Sequence, residues 1–195
     1  MAARKKAAKK KASKKKATRR KVGDYFSTHP AALARLEDYL AYGYLEINEY
    51  LRDPKAYAKE RTAKETAATR KAAAALVRDL RAAQGKSVSV CRAQLLSGEQ
   101  TVKALADRRL KSTQPMFVSK SPTICNRVAE GLEPGPGEHV VDLKLNVPTV
   151  DVSGYGRKRP GEQLVPPTTL EVEKTSTRKG RVNMRATTKK KASRK

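Results

Sequence analysis

Several features that would indicate a membrane, secreted or disulfide-rich protein are absent from this 195-residue sequence. No run approaches the ~20 apolar residues that a membrane-spanning helix needs, so we expect no membrane partner. The N-terminus lacks the apolar stretch of a secretory signal. Two cysteines, Cys91 and Cys125, are too few for a disulfide framework. We therefore expect reduced thiols in a soluble, intracellular protein.

Common catalytic and metal-binding motifs are absent as well. The sequence contains no P-loop, no dinucleotide fingerprint and no metalloprotease motif. The cysteines and the two histidines, His29 and His139, do not show the paired spacing of zinc ligands. We expect no metal.

Acidic residues are absent from both ends of the chain, where basic residues are concentrated. Residues 1–22 contain twelve of the 44 Lys and Arg residues, and residues 178–195 contain nine more. Residues 23–177 contain the other 23 basic side chains and all 19 acidic ones, a net charge of only +4. This distribution predicts one nearly neutral domain over 23–177 between two basic tails, 1–22 and 178–195.

The tails have a composition typical of disordered, polyanion-binding segments. After Met1, residues 2–21 carry no large apolar side chain that could offset the entropy of ordering. Lys and Arg release counterions from phosphates, so we expect DNA or RNA binding that weakens with salt. Without aromatic side chains, the tails should not distinguish base sequence. The first tail resembles linker-histone tails or a nuclear localisation signal, which favours a nuclear or virion location over a solubilising arm or a membrane-surface patch.

The residues between the tails predict helices first and strands second. Helical spacing of apolar residues predicts a helix over 30–51, capped by Ser27 or Thr28, and a second helical stretch over 55–84. A capping box at Ser97 and Gln100 predicts a helix to about residue 110, and Pro122 opens another to residue 130. Alternating or β-branched runs predict strands at 87–91, 114–118, 139–147, 163–165, 170–174 and, less regularly, 182–185. The order predicts an α+β fold.

Three short segments carry candidate chemistry, each at the end of a predicted strand or beside one. They are Val90-Cys91-Arg92-Ala93, Phe117-Val118-Ser119-Lys120-Ser121 and Gly161-Glu162-Gln163-Leu164-Val165-Pro166-Pro167. Together with Tyr42-Gly43-Tyr44-Leu45-Glu46-Ile47-Asn48-Glu49-Tyr50-Leu51-Arg52, they make residues 30–175 similar to ADP-ribosyltransferases of the arginine–serine–glutamate class. The resemblance implies N-terminal helices followed by a mostly antiparallel, split β core.

The resemblance also implies NAD as substrate and a role for each motif. Arg92 would contact the NAD phosphates and ribose, because a guanidinium donates bidentate hydrogen bonds to oxyanions. Ser119 and Ser121 would support the site, Ser119 by orienting the catalytic glutamate. Glu162 would be that glutamate, stabilising the oxocarbenium-like centre formed when the nicotinamide–ribose bond breaks. Tyr155 would help to recognise the acceptor, and Gln163 is an alternative polar participant if the loop register shifts by one residue.

The sequence departs from the family pattern at three positions. Pro160 stands where the family usually has Glu or Gln two residues before the catalytic glutamate, which leaves NAD hydrolysis or an unusual acceptor open. Lys120 replaces a frequent Thr, and Ala93 a frequent Gly. Each site residue also has an ordinary structural explanation. Arg92 could be a surface charge, Ser119 and Ser121 helix caps, and Glu162 a solvated loop carboxylate. Core packing would likewise explain Tyr42, Tyr44 and Tyr50.

The sequence therefore predicts a monomeric ADP-ribosyltransferase that acts on a protein or nucleic-acid acceptor and is localised by its tails. A non-enzymatic protein that binds or condenses nucleic acid, with a degenerate transferase-like middle, is the main alternative. A basic RNA-associated or ribosomal protein is a third interpretation, which the nearly neutral middle disfavours.

Overall fold

A computed structural model describes residues 25–155, 161–178 and 180–188 of the chain. The predicted tail over 1–22 lies outside these residues, as do Pro160 and residues 189–195.

The first third of the described chain is helical. Its helices are α1 (Tyr25–Thr28), α2 (Pro30–Asp38), a π-helical turn (Tyr39–Gly43), α3 (Tyr44–Arg52), α4 (Pro54–Lys59) and α5 (Ala63–Ala83). The predicted helix over 30–51 is confirmed, since α2, the π turn and α3 run on without a break. Its predicted cap is wrong. His29 occupies the N-cap position without a side-chain cap bond, and the Thr28 hydroxyl instead donates to the Tyr25 carbonyl oxygen, 3.0 Å away.

The second predicted helical stretch is two helices rather than one. The Asp53 carboxylate accepts hydrogen bonds from the amides of Lys55 and Ala56 and so caps α4. After α4 ends, Thr62 and Glu65 form a reciprocal capping box that begins α5. Because these side chains satisfy backbone groups that a helix end exposes, the chain can stop and restart a helix within a few residues.

The rest of the described chain contains eight strands and two further helices. They are β1 (Ser87–Ser97), α6 (Gly98–Ala106), β2 (Arg109–Ser112), β3 (Met116–Ser119), α7 (Pro122–Glu130), β4 (Glu138–Pro148), β5 (Val150–Asp151), β6 (Glu162–Val165), β7 (Thr168–Arg178) and β8 (Arg181–Thr188). The strand order is β2-β7-β8-β4-β1-β3-β6-β5. Only β4 and β8 pair in parallel among the described strands. The α+β prediction, with helices followed by a mostly antiparallel sheet, is confirmed.

Among the described residues, the two largest of three hydrophobic clusters hold these layers together. The larger cluster lies among the strands and includes Val118 and Val165 from one end of the strand order with Leu170 and Met184 from the other. The sheet therefore curves around this core. The second cluster joins the helices to strand β6, where Leu36, Leu76 and Leu80 pack with Leu164. Since Leu164 is only two residues from Glu162, the helical layer and the predicted site are physically linked.

The predicted boundary of the C-terminal tail at residue 178 falls inside the sheet. Strand β8 lies between β7 and β4, and its Met184 and Ala186 are buried in the larger cluster. The domain therefore extends to at least Thr188. The alternation of apolar residues is a weak signal here because the strand also carries two arginines, which give it the basic composition of the tail.

The expectation of reduced thiols is wrong in this structure, because Cys91 and Cys125 form a disulfide. The bond joins β1 to α7, which are 34 residues apart at these positions. Sequence spacing gave no indication that the two thiols would face each other. None of the described helices is long and apolar enough to cross a bilayer.

Candidate active site

The three predicted motifs lie on three neighbouring strands. In the β1–β3 pair Cys91 is opposite Ser119, and in the β3–β6 pair Ser119 is opposite Glu162. Directly paired residues of an antiparallel ladder have Cα atoms about 4.5–5.5 Å apart. Arg92 is the residue after Cys91 on β1. Segments separated by up to 70 positions in the chain thus meet within two strand spacings.

The side chains of these motifs line two adjoining cavities. A cleft of about 590 Å³ is lined by Arg92 and Glu162, together with residues of α3 and of the segment before β3. A groove of about 620 Å³, between α7 and the strands, is lined by Arg92, Ser119 and Glu162 together. Arg92, Phe117 and Glu162 belong to both cavities and mark the place where they meet.

Arg92 is half-buried and is held in a defined orientation by hydrogen bonds rather than projecting freely from the surface. Its Nη1 donates to the Phe117 carbonyl oxygen at 2.8 Å, and its Nε donates to Gln94 Oε1 at 2.9 Å. Burial lowers the pKa of the Arg92 guanidinium from its ordinary value, although the group stays protonated at neutral pH. Arg92 also lies within β1 instead of at its end, because β1 continues to Ser97. The alternative of a surface charge is therefore wrong.

The phenol of Tyr39 is a buried polar group near Arg92. Its ring stacks on Phe117, with centroids 6.1 Å apart, and its hydroxyl donates to Asn48 Oδ1 at 3.2 Å. Burial raises the pKa of Tyr39 to about 12, against opposing effects of the Asn48 hydrogen bond and of the Arg92 charge. The helical layer thus contributes a buried, protonated phenol near the arginine.

Ser119 and Ser121 form the link between β3 and α7. Ser119 is buried, and its Oγ accepts a hydrogen bond from the Ser121 amide at 3.0 Å. A serine hydroxyl that accepts one bond still has a proton to donate. Ser121 is the N-cap residue of α7, but its side chain makes no cap bond. A local role at the start of α7 therefore accounts for one hydrogen bond of the Ser119 hydroxyl. Helix capping does not account for the presence of a hydroxyl at Ser121.

Glu162 begins strand β6 and is half-buried, so it is not a solvated loop residue. Its carbonyl oxygen accepts from the Val152 amide at 3.3 Å, while its strand pairs with β3 on the other side. Gly161 precedes it with φ of 76°, a left-handed conformation that glycine adopts without steric cost. This turn directs the chain into β6 and so sets the position of the carboxylate.

Lys120, one of the departures from the family pattern, forms an ion pair at the base of the same loop. Its ammonium lies 3.5 Å from Asp151, and its amide donates to the Gly161 carbonyl oxygen. Burial raises the pKa of Asp151, but hydrogen bonds from Ser153 and Gln163 and the Lys120 charge outweigh it and hold the pKa below its ordinary value. The lysine therefore joins the two chain segments that enter and leave the loop before Glu162.

The structure separates the two residues suggested for acceptor recognition. Tyr155 lines the cleft, and its ring also packs edge-on against Phe26 with centroids 5.9 Å apart. Gln163 is only 2% exposed, accepts from Thr149 Oγ1 at 2.9 Å and donates to the Glu162 carbonyl oxygen. It does not line either cavity. The interpretation of Gln163 as an alternative participant is thus wrong, because adjacent strand residues point to opposite sides of a sheet.

Several cleft residues were not singled out in the sequence as site residues. They come from helix α3, from β1 and from the segment before β3: Tyr44, Asn48, Arg52, Gln94 and Gln114. Gln94 had a usable signal, since it is two residues after Arg92 and therefore on the same side of β1.

Two of the three tyrosines expected in the core are in fact at the surface. Tyr42 is 86% exposed and Tyr44 is 40% exposed, whereas Tyr50 packs edge-on against Tyr57. The π-helical turn explains the difference. A wider turn changes the angular position of the residues that follow it, so a 3.6-residue period cannot be extended through it.

The disulfide contributes to the walls of the groove. Both Cys91 and Cys125 line it, beside the exposed apolar side chains of Ile124 and Val128. The bond therefore holds α7 over the strand that carries Arg92. Within the described residues, no group of three or more His, Cys, Asp or Glu side chains is placed to hold a metal ion.

Comparisons with known proteins support the fold. No family model and no curated protein sequence matches the chain significantly. Among solved structures, the chain is similar to the Vis toxin, an ADP-ribosyltransferase from Vibrio splendidus, with a TM-score of 0.58, 15% identity and coverage of 88% of this chain and 84% of the toxin. The ADP-ribosyltransferase Vis in complex with agmatine gives a TM-score of 0.62 at 15% identity, covering 89% and 85%.

A second toxin component has the same fold over part of its length. The enzymatic component C2-I of the C2-toxin from Clostridium botulinum matches with a TM-score of 0.55 and 15% identity, covering 86% of this chain and 46% of that one. The described chain therefore has the fold of ADP-ribosyltransferases.

Proposed function

We propose that this protein is an NAD-dependent mono-ADP-ribosyltransferase of the arginine–serine–glutamate class. The observation that carries the proposal is the convergence of Arg92, Ser119 and Glu162 on one groove, through the register of β1, β3 and β6. The fold alone would support a looser conclusion, because one fold hosts many functions. The site supplies the specific argument.

The residues suit the cleavage of the nicotinamide–ribose bond. When that bond breaks, its electron pair leaves with nicotinamide and positive charge develops at the ribose carbon. The half-buried carboxylate of Glu162 would stabilise that charge in a partly desolvated site, where electrostatic interactions are stronger than in water. The acceptor then forms a bond to the same carbon and loses a proton to solvent or to a nearby base.

Arg92 is suited to the anionic part of NAD. Its Nη1 and Nε each donate to a protein oxygen, which fixes the guanidinium plane and leaves further donors for a pyrophosphate. Arg52 lines the same cleft from α3 and adds a second cation. Ser119, next to Glu162 in register, would orient the carboxylate, and Tyr155 would contact the acceptor from the cleft wall.

The acceptor of the proposal is a protein or a nucleic acid near which the basic tails hold the enzyme. Binding to a polyanion raises the effective concentration of any target on the same polymer. A nuclear or virion location is part of the same proposal and rests on the composition of the tails alone. Deleting residues 1–22 should then change the location and the set of modified targets.

The test is nicotinamide release and label transfer from labelled NAD, with nuclear proteins and DNA as acceptors. We expect the Glu162→Gln variant to lose about 100-fold or more in turnover, the usual cost of removing one preorganised group at a developing charge. Glu171→Gln is a matched control, because Glu171 is a similar half-buried strand carboxylate on β7.

Equal turnover in the wild-type and Glu162→Gln proteins would contradict the assigned role of Glu162. If neither protein releases nicotinamide and NAD does not bind, the alternative function, a non-enzymatic protein that binds nucleic acid, would replace the proposal.

A further inference from the structure

The described domain has a cationic track outside the cleft that the proposed NAD chemistry does not use. A groove of about 920 Å³ runs between the end of α5 and strands β2 and β7, and Arg81 and Lys111 line it. A second groove of about 440 Å³ runs along α5, lined by Arg70, Arg78 and Arg81. All four cationic side chains are exposed.

The two grooves form one path that leads to the cleft. Arg81 and Leu51 line both grooves, so the grooves are contiguous. Ser112 lines both the first groove and the cleft that contains Arg92 and Glu162. An extended ligand can therefore pass from α5, along β2, to the candidate active site without leaving a recessed surface.

The charge along this path has one sign. None of the described residues lining the two grooves is acidic. Asp79, the acid adjacent to Arg78 in sequence, is buried and forms a 2.7 Å ion pair with Arg35, and the Tyr25 hydroxyl also donates to it. Arg78 makes the longer of the two ion pairs of Asp79, at 3.7 Å. The Asp79 charge is therefore compensated largely within the helical layer. Residues 23–177 carry a net charge of only +4, so this concentration of cations is local.

The spacing of the cations fits a polymer better than a small anion. Arg70, Arg78 and Arg81 follow one face of α5 at helical spacing, and the first and last are about 16 Å apart along the axis. Tyr50 lines the same groove and provides an aromatic ring beside the cations. A positively charged groove with an aromatic side chain is the usual means of binding single-stranded nucleic acid.

We propose that this track, defined by Arg70, Arg78, Arg81 and Lys111, binds the phosphate backbone of single-stranded nucleic acid and leads the strand to the cleft. The inference rests on the proposed function in one respect, namely that the cleft is where the strand is delivered. It assigns nucleic acid, rather than protein, as the acceptor class. The tails would add affinity, while the track would set direction.

The experiment measures binding of the full-length protein to a fluorescein-labelled single-stranded oligonucleotide across a series of salt concentrations. The test variant is R70Q/R81Q/K111Q. The control variant, K103Q/R127Q/K144Q, removes the same charge from exposed residues of α6, α7 and β4. Each lost phosphate contact lowers the salt slope by about 0.7, so we expect the slope of the test variant to fall by about 2 and its affinity to fall about tenfold or more. The control should change neither appreciably.

Equal slopes for the two variants would show that the tails account for all binding, and would overturn the proposal. An equal loss of duplex binding would overturn the assignment to single strands. Poly-glutamate binding that depends on these three residues, with oligonucleotide binding unchanged, would assign the surface to an acidic protein instead. Circular dichroism of each variant, and of the single substitutions, separates loss of binding from loss of fold.

Nicotinamide release by the wild-type protein, measured in parallel, separates the two proposals. Track-dependent binding without NAD turnover contradicts the proposed function and leaves the track. NAD turnover with track-independent binding contradicts the track alone.

Discussion

Helices α3 and α5 pack against each other in one layer, but they bury very different amounts of their surface. Helix α5 contributes six buried residues, whereas α3 has none. Three side chains of α3, those of Tyr44, Asn48 and Arg52, line the cleft instead. The comparison indicates a division of roles between neighbouring helices, with α5 burying a face that stabilises the fold and α3 presenting polar side chains to the cleft.

A matched pair of leucine truncations should show the difference most strongly. Leu80 in α5 is fully buried, and Leu45 in α3 is 59% exposed. We expect Leu80→Ala to lower the free energy of unfolding by about 3 kcal/mol, since it removes packed methyl groups and leaves a cavity. Leu45→Ala should change it by no more than about 0.5 kcal/mol. Denaturant unfolding measures both, and similar losses would contradict the division of roles.

Removing a charge from α3 should affect substrate binding while leaving stability nearly unchanged. We expect Arg52→Gln to raise KM for NAD about tenfold, which corresponds to about 1.4 kcal/mol, because a cation in the cleft contributes to binding the pyrophosphate. Lys64→Gln, at an exposed position of α5, is the control and should leave KM unchanged. Steady-state nicotinamide release gives KM and kcat separately. A change in kcat alone would place Arg52 outside substrate binding.

The smallest expected effect concerns Tyr39, in the π-helical turn that precedes α3. Its pKa is raised by burial from 10.0 to about 12, so the folded state keeps the phenol protonated at a pH where the unfolded chain ionises. The resulting stabilisation is fully present below pH 10 and is lost as the pH rises through the folded-state pKa. Between pH 10 and 11 the unfolding free energy of the Tyr39→Phe variant should therefore fall by about 1 kcal/mol less than that of the wild type.

The control for this prediction is Tyr42→Phe, which removes a phenol from a ring that is 86% exposed. Denaturant unfolding of the wild type and both variants at the two pH values gives the comparison. An unchanged pH dependence in Tyr39→Phe would contradict the prediction.

The order of the elements and the identity of the motifs were accessible from the sequence because they depend on local signals. The Ser97–Gln100 capping box and the alternation over residues 139–147 each predict an element that the structure contains. Strand β2 was missed, since its four residues are too few for a periodic pattern. Strand β8 was assigned in part to the tail because arginines occupy its outward positions.

The candidate site was predictable as a set of residues but not as an arrangement. Arg92, Ser119 and Glu162 follow from the resemblance of their motifs, whereas their adjacency depends on the strand order β1-β3-β6. The disulfide between Cys91 and Cys125 depends equally on α7 packing over β1. Asn48 and Arg52 line the cleft because α3 packs beside it, which no local pattern within α3 specifies.

The sequence by itself determined the charge segregation, the helices-then-strands order and the chemical groups available at the site. Composition and short-range periodicity are sufficient for these, because they arise from propensities and patterns within a few residues of one another. Tertiary structure alone decided that Gln163 is buried while Glu162 lines the cleft, that the two thiols meet, and that cations of α5 and β2 share one path. Each of these depends on strand register or helix packing between distant segments, which no local pattern specifies.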